Sequence, residues 1–213
     1  MTRGARGGRL MPMLLDARPD AHGPSPFGGG DAVLIAYASK HGTAREIAER
    51  LAAGLRSGGV PTGLADLATT PDADVAPYTR VVVVAAIHGE HHHPAAVAWL
   101  QHHHAELAGR SLALVSVSLT AATGAAGDEK TERYVAALAA ETGARPDHAL
   151  RVAGALRYRA YNAATRMLMR GVAGAKGLST DTSRDHEYTD WTAVASFAAE
   201  LVDQVRHRAV VVD

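Results

Sequence analysis

Runs of consecutive apolar residues at 33–37 and 81–87, and a mostly apolar run at 111–119, punctuate the chain from Ala32 onward. Each is too short for a buried helix, so each predicts a strand covered on both faces, with the four valines at 81–84 at the centre of the sheet. Between these runs the apolar residues recur every three or four positions. Over 44–55 that spacing puts Ile47, Leu51 and Leu55 on one helical face, and Ser57-Gly58-Gly59 stops the helix. Residues 60–67 predict a second strand at an edge, because Pro61 cannot donate to a ladder and Gly63 weakens it. Helices are expected over 94–107 and 131–142, with a long flexible loop at 121–127, and a fifth strand over 149–156. A last helix over 191–205, capped by Asp190 or Thr189, turns Trp191, Val194, Phe197, Leu201 and Val205 inward. Five strands alternating with helices require a parallel sheet whose right-handed crossovers place helices on both faces. Residues 1–31 carry Gly, Pro and Arg without periodicity and are expected to be a disordered extension or a basic arm, leaving 32–208 as one domain.

The first strand feeds through Tyr-Ala-Ser-Lys-His-Gly-Thr-Ala, 37–44, directly into a helix. Such a junction gathers unpaired backbone N–H groups, two hydroxyls and the positive end of a helix dipole in one small volume, which suits a phosphate. Gly42 permits the sharp turn, Ser39 and Thr43 can donate O–H groups, and Lys40 adds charge. The same residues can also serve as a turn that only caps a helix. Neither G-x-x-x-x-G-K-[ST] nor G-x-G-x-x-G is present, so a Walker loop and a dinucleotide fingerprint are excluded. The run Ser39, Lys40, His41, Gly42, Thr43, Ala44 resembles the phosphate loop of flavodoxins, with Ala44 where those proteins carry Thr. The resemblance implies a flavodoxin-like, doubly wound α/β fold with a five-stranded parallel sheet in the order 2-1-3-4-5 and FMN at the switch point.

That topology selects two further loops. The second, Ile87, His88, Gly89, Glu90, His91 and His92, would lie along the flavin ring, with His92 as the stacking side chain. Its four histidines within six positions also allow a metal site or a solvated loop, but neighbouring loop residues cannot all aim at one ion, and no metal is assigned. In the third loop Ser118, Leu119 and Thr120 can close over the ring edge. The second histidine run, 102–104, spreads over about 200° of a helix and reads as solvated.

Between the fifth strand and the last helix the chain inserts 157–187. A helix there places Tyr158, Tyr161, Leu168, Met169 and Val172 on one side and Arg159, Arg166 and Arg170 in a separate stripe. A basic amphipathic helix can lie on an anionic membrane, hold an acidic ligand, or simply pack on the domain. Gly-Ala-Leu-Arg-Tyr at 154–158, Thr-Asp-Thr at 180–182 and Tyr-Thr-Asp-Trp at 188–191, with Thr-Ala-Arg-Glu-Ile-Ala at 43–48, Ala-Ile-His-Gly-Glu-His-His-His at 86–93 and Val-Ser-Val-Ser-Leu at 115–119, resemble the menaquinone-dependent protoporphyrinogen IX dehydrogenase family. The similarity spans about residues 32–205 and departs where that family has an Arg and aromatic residues in the second loop. It implies an FMN oxidoreductase of haem synthesis that takes hydride from a porphyrinogen and passes electrons to a quinone at the membrane. Porphyrinogen propionates then make Arg157, Arg159 and Arg166 candidate anchors. No catalytic acid or base is assigned. The alternatives are an FMN electron carrier docking to redox partners, which predicts an acidic rim and a short final loop, and a flavin-free interaction module.

Composition narrows this further. With 22 basic and 22 acidic residues there is no bulk attraction to nucleic acid. The absence of cysteine excludes disulfides, thiolate metal sites and a Cys nucleophile, so redox chemistry must come from a cofactor; it fits a cytoplasmic protein, peripheral at most on the inner face of the membrane. No apolar run approaches the roughly 20 residues that cross a bilayer.

Overall fold

In the computed structural model, which describes residues 31–211, the apolar runs become the interior of one sheet. The expected N-terminal extension lies outside the described residues except for Asp31. The long strands are β1 (Val33–Ala38), β2 (Thr62–Asp66), β3 (Arg80–His88), β5 (Ser111–Ser118) and β6 (His148–Ala153). They pair in parallel in the order β2-β1-β3-β5-β6, while the two-residue β4 (His91–His92) folds back antiparallel on the end of β3. Counting the long strands alone, this is the expected order 2-1-3-4-5, and β2 is the expected edge.

Side chains alternate between the two faces of β1, as strand geometry demands. Val33 and Ile35 join Ile47, Leu51 and Leu55 of α1 (Thr43–Ser57) and Phe197 and Leu201 of α5 (Trp191–Val211). Leu34 and Ala36 face the opposite layer, with Trp99 and Leu100 of α2 (Pro94–Leu107) and Leu138 of α3 (Ala125–Thr142). The cap of α5 is Asp190, whose Oδ1 accepts from the amides of Thr192 and Ala193 at 3.0 Å each.

Four expectations need correction. The stretch 121–127 is ordered, not a flexible loop: a 3₁₀ turn (Leu119–Ala122) leads directly into α3, six residues earlier than its apolar spacing suggests. Ser118 Oγ accepts from the Ala121 amide at 3.3 Å, and Thr123 Oγ1 donates to the Thr120 carbonyl at 2.7 Å. A Cβ on Gly127 would stand 2.1 Å from that same carbonyl, so only glycine lets the first turn of α3 close on the loop. The fifth strand is split at Gly154, and β7 (Ala155–Leu156) leaves the sheet to pair with β8 (His186–Glu187). The inserted helix, α4 (Ala163–Ala175), begins only after Asn162, whose Oδ1 accepts from the Thr165 amide at 2.8 Å. Tyr158 and Tyr161 therefore sit in a turn, buried with Leu156 and Ala173 in a small separate core. In the second histidine run, His103 is buried beside Trp99 with ring centroids 4.8 Å apart, while its neighbours are exposed.

Candidate functional site

The carboxyl ends of β1, β3 and β5 meet at one cleft, closed on its fourth side by α4. At the β1–α1 junction Ser39 Oγ accepts from the Gly42 amide at 3.0 Å, and Gly42 adopts φ 91°, a conformation costly for any residue with a Cβ. Glu46 is the first amide of the α1 end bonded to the turn, to the Gly42 carbonyl at 2.9 Å, so the amides of Thr43, Ala44 and Arg45 point out of the helix. The buried Thr43 hydroxyl has no hydrogen-bond partner among the described residues and lines the cleft beside Ser39 and Ala44. Outward amides, a free hydroxyl, the helix dipole and the exposed ammonium of Lys40 at the rim make a donor set that fits a phosphate monoester.

His41 turns its ring toward the cleft, edge-on to His88 at 5.4 Å and to Tyr161 at 4.9 Å between centroids. Burial, then Lys40, holds its imidazole below the ordinary pKa. In the second loop Gly89 and Glu90 have φ 57° and 72° and form the two-residue turn of a tight hairpin that pairs His88 with His91 and Ile87 with His92. Ile87, His88, Gly89 and Glu90 line the cleft. His88 lies at the rim, yet the walls around it, then His41, Lys40 and His93, push it down to about 4, so it is uncharged at neutral pH.

The hairpin register separates the neighbouring histidines. His91 is exposed and outside the cleft lining. His92 is 6% exposed, with Nε2 3.0 Å from Ser116 Oγ of β5. It is therefore unable to offer a face to a ring in the cleft, whereas His41 and His88 both line the cleft. Burial pushes His92 down to about 4. Because this folded-state value lies below the unfolded one of about 6.5, its contribution to stability is full above pH 6.5 and is lost as pH falls toward 4. Going from pH 7 to pH 5 should cost about 2 kcal/mol through this residue, so urea unfolding of a His92→Gln variant should be less pH-dependent by that amount. Equal pH dependence in the two proteins would remove the assignment. Among the described residues no three His, Asp or Glu side chains gather as metal ligands.

In the third loop Ser118, Leu119 and Thr120 line the cleft. Ser118 is occupied by its cap to Ala121, while Thr120 Oγ1 accepts from Lys176 Nζ at 2.8 Å. Lys176 was not singled out by the sequence, although it follows Leu168 and Val172 at four-residue spacing. The cleft between the loops and α4 has a volume of about 520 Å³, with Leu168, Met169 and Val172 as its apolar wall.

The three arginines do not converge on this cleft. Arg157 Nη2 bridges Glu46 at 2.8 Å and Glu187 at 3.1 Å, tying the insert to α1. Arg166 donates from Nε to the Tyr158 carbonyl and from Nη2 to the Tyr161 carbonyl, both at 3.0 Å, and thereby satisfies the turn before α4. Arg159 is exposed, with its amide bonded to Asp185 at 2.8 Å.

A parallel sheet in this order, with three loops and a helix N-terminus converging at its switch point, is the architecture of flavodoxin-type proteins. The family described as Flavodoxin domain matches residues 34–183. The protein named protoporphyrinogen IX dehydrogenase [quinone] of Escherichia coli K12 is 32% identical over 168 residues, 79% of this chain and 93% of that protein. A protein of the same name from Leishmania major is 32% identical over 127 residues, 60% of this chain and 55% of its own length. Rubredoxin oxygen:oxidoreductase from Desulfovibrio gigas shares the fold at TM-score 0.53 and 14% identity; the match covers 84% of this chain, which spans only 37% of that one. The chain belongs to the protoporphyrinogen IX dehydrogenase [quinone] family of flavodoxin-domain proteins.

Proposed function

We propose that this chain is an FMN-dependent oxidoreductase that converts protoporphyrinogen IX to protoporphyrin IX with a quinone as electron acceptor. The observation that carries the reading is the match to the E. coli dehydrogenase across 93% of its length, joined to a cleft with hydrogen-bond donors at one end and an apolar wall along α4. Bound FMN would supply a two-electron acceptor, chemistry that no side chain of a cysteine-free protein provides. Thr43 and the outward amides of α1 would hold its phosphate. The second and third loops would form the slot for its ring, and Leu168, Met169 and Val172 would keep water from the substrate face. His88, uncharged at neutral pH, can donate or accept a hydrogen bond at the rim as a neutral imidazole.

Among the described residues no helix is long and apolar enough to cross a membrane. Met167 and Leu168 are 68% and 66% exposed on α4, with Arg170 exposed beside them, which supports peripheral contact with an anionic membrane where a quinone resides. One experiment tests both parts. Protein loaded with FMN should turn anaerobic protoporphyrinogen IX into fluorescent porphyrin with menadione, and should sediment with anionic vesicles. No turnover above free FMN would remove the enzyme reading, and sedimentation unchanged in a Met167→Glu/Leu168→Glu variant would remove the membrane contact.

A further inference from the structure

Among the described residues the cations that reach the cleft are Lys40, beside the phosphate turn, and Lys176, at the far end of α4. Lys176 is the C-cap of that helix, where the negative end of the dipole favours a cation. Its Nζ donates one hydrogen bond, to Thr120, and an ammonium has three to give. Among the described residues it makes no ion pair. The carboxylate nearest in effect, Glu90, is already bonded to Lys130 of α3. Burial, then Lys130, lowers the Lys176 pKa, so the site holds a partly desolvated positive charge lacking an anion of its own. Leu168, Val172 and Lys176 follow one another at four-residue spacing and share one face, with about 12 Å of helix rise from the first to the last. An apolar surface ending in a tethered cation is the complement of a flat apolar ring carrying a carboxylate on a short arm.

We propose that Lys176, positioned by Thr120, binds a propionate carboxylate of the tetrapyrrole while Leu168 and Val172 take its ring. This rests on the function proposed above. It reassigns the anchoring role from Arg157 and Arg166, whose guanidinium groups are engaged by Glu46 and Glu187 and by backbone carbonyls. The free acid should therefore bind better than the ester, and Lys176 should be the reason.

The test is fluorescence titration of the FMN-loaded protein with protoporphyrin IX and with its dimethyl ester, for the wild type, Lys176→Gln and Lys176→Arg, with FMN affinity measured in parallel. The wild type should prefer the acid by roughly tenfold or more, the size of a charged hydrogen bond. Lys176→Gln should lose that preference with its ester affinity and FMN affinity intact, and Lys176→Arg should keep part of it. In turnover, Lys176→Gln should show a raised KM for protoporphyrinogen. An unchanged preference in Lys176→Gln, or equal loss toward acid and ester, overturns the anchor and leaves the enzyme reading standing. A wild type that neither binds porphyrin nor oxidises porphyrinogen overturns both.

Discussion

A Gly42→Val variant should fold and yet purify without flavin colour. A Cβ at Gly42 has nothing within 4 Å, so the first atom of the new side chain has room and the expected effect comes from the backbone. At φ 91° a β-branched residue is strained by about 1–3 kcal/mol, and the turn relieves that strain by rotating away. Rotation breaks the bond from the Gly42 amide to Ser39 and re-aims the amides of Thr43 and Ala44, which would otherwise bond a charged phosphate at about 1.5–3 kcal/mol each. A combined loss of about 3–5 kcal/mol corresponds to a fall in FMN affinity of roughly two to four orders of magnitude. Circular dichroism would show the fold retained, and quenching of FMN fluorescence on titration gives the affinity. Wild-type affinity in this variant would mean that the β1–α1 turn is not where the phosphate sits.

A Tyr158→Ala variant should separate the insert from the domain that carries it. Tyr158 is fully buried, its hydroxyl donates to the Ser179 carbonyl at 3.2 Å, and its own carbonyl accepts from Arg166. Removing a large buried aromatic side chain costs about 3–5 kcal/mol. Among the described residues the cluster around it has only Leu156, Tyr161 and Ala173 as further buried members, too few to absorb that loss, whereas the sheet and its two helical layers have cores of their own. Residues 157–187 should therefore open locally below the main unfolding transition. Expected results are proteolytic cleavage within that stretch, an FMN affinity within a few-fold of wild type, and loss of saturable porphyrinogen turnover. If the main thermal transition drops by the full amount and no early cleavage appears, the insert is part of the central cooperative unit.

These two variants probe parts of the molecule that differ in how openly the sequence displays them. The β1–α1 turn is contiguous. Ser39, Gly42 and Thr43 lie within five positions between a strand and a helix, and local chain geometry alone brings their donors together. The cleft wall is different: its apolar residues are legible in the sequence, but Tyr158 and Tyr161 fit a helical stripe on paper and are held in a turn by an Asn162 cap and by Arg166. Arg157 reads as a free cation until Glu46, 111 positions away, is seen beside it. Lys176 carries no motif and acquires meaning only from Thr120, 56 positions earlier.

The sequence by itself determined the alternation of strands and helices and the tight turn from β1 into α1, because burial on both faces and a helix N-terminus depend on residues close together in the chain; the strand order came from the resemblance to flavodoxins. Only the tertiary structure decided that His92 points into the core and His88 stands at the opening, that α3 starts at Ala125, and which cations face the cleft. Those outcomes depend on hairpin register, on the room a missing Cβ leaves against a distant carbonyl, and on which opposite charge arrives from another element. None of these leaves a periodic trace in the order of residues.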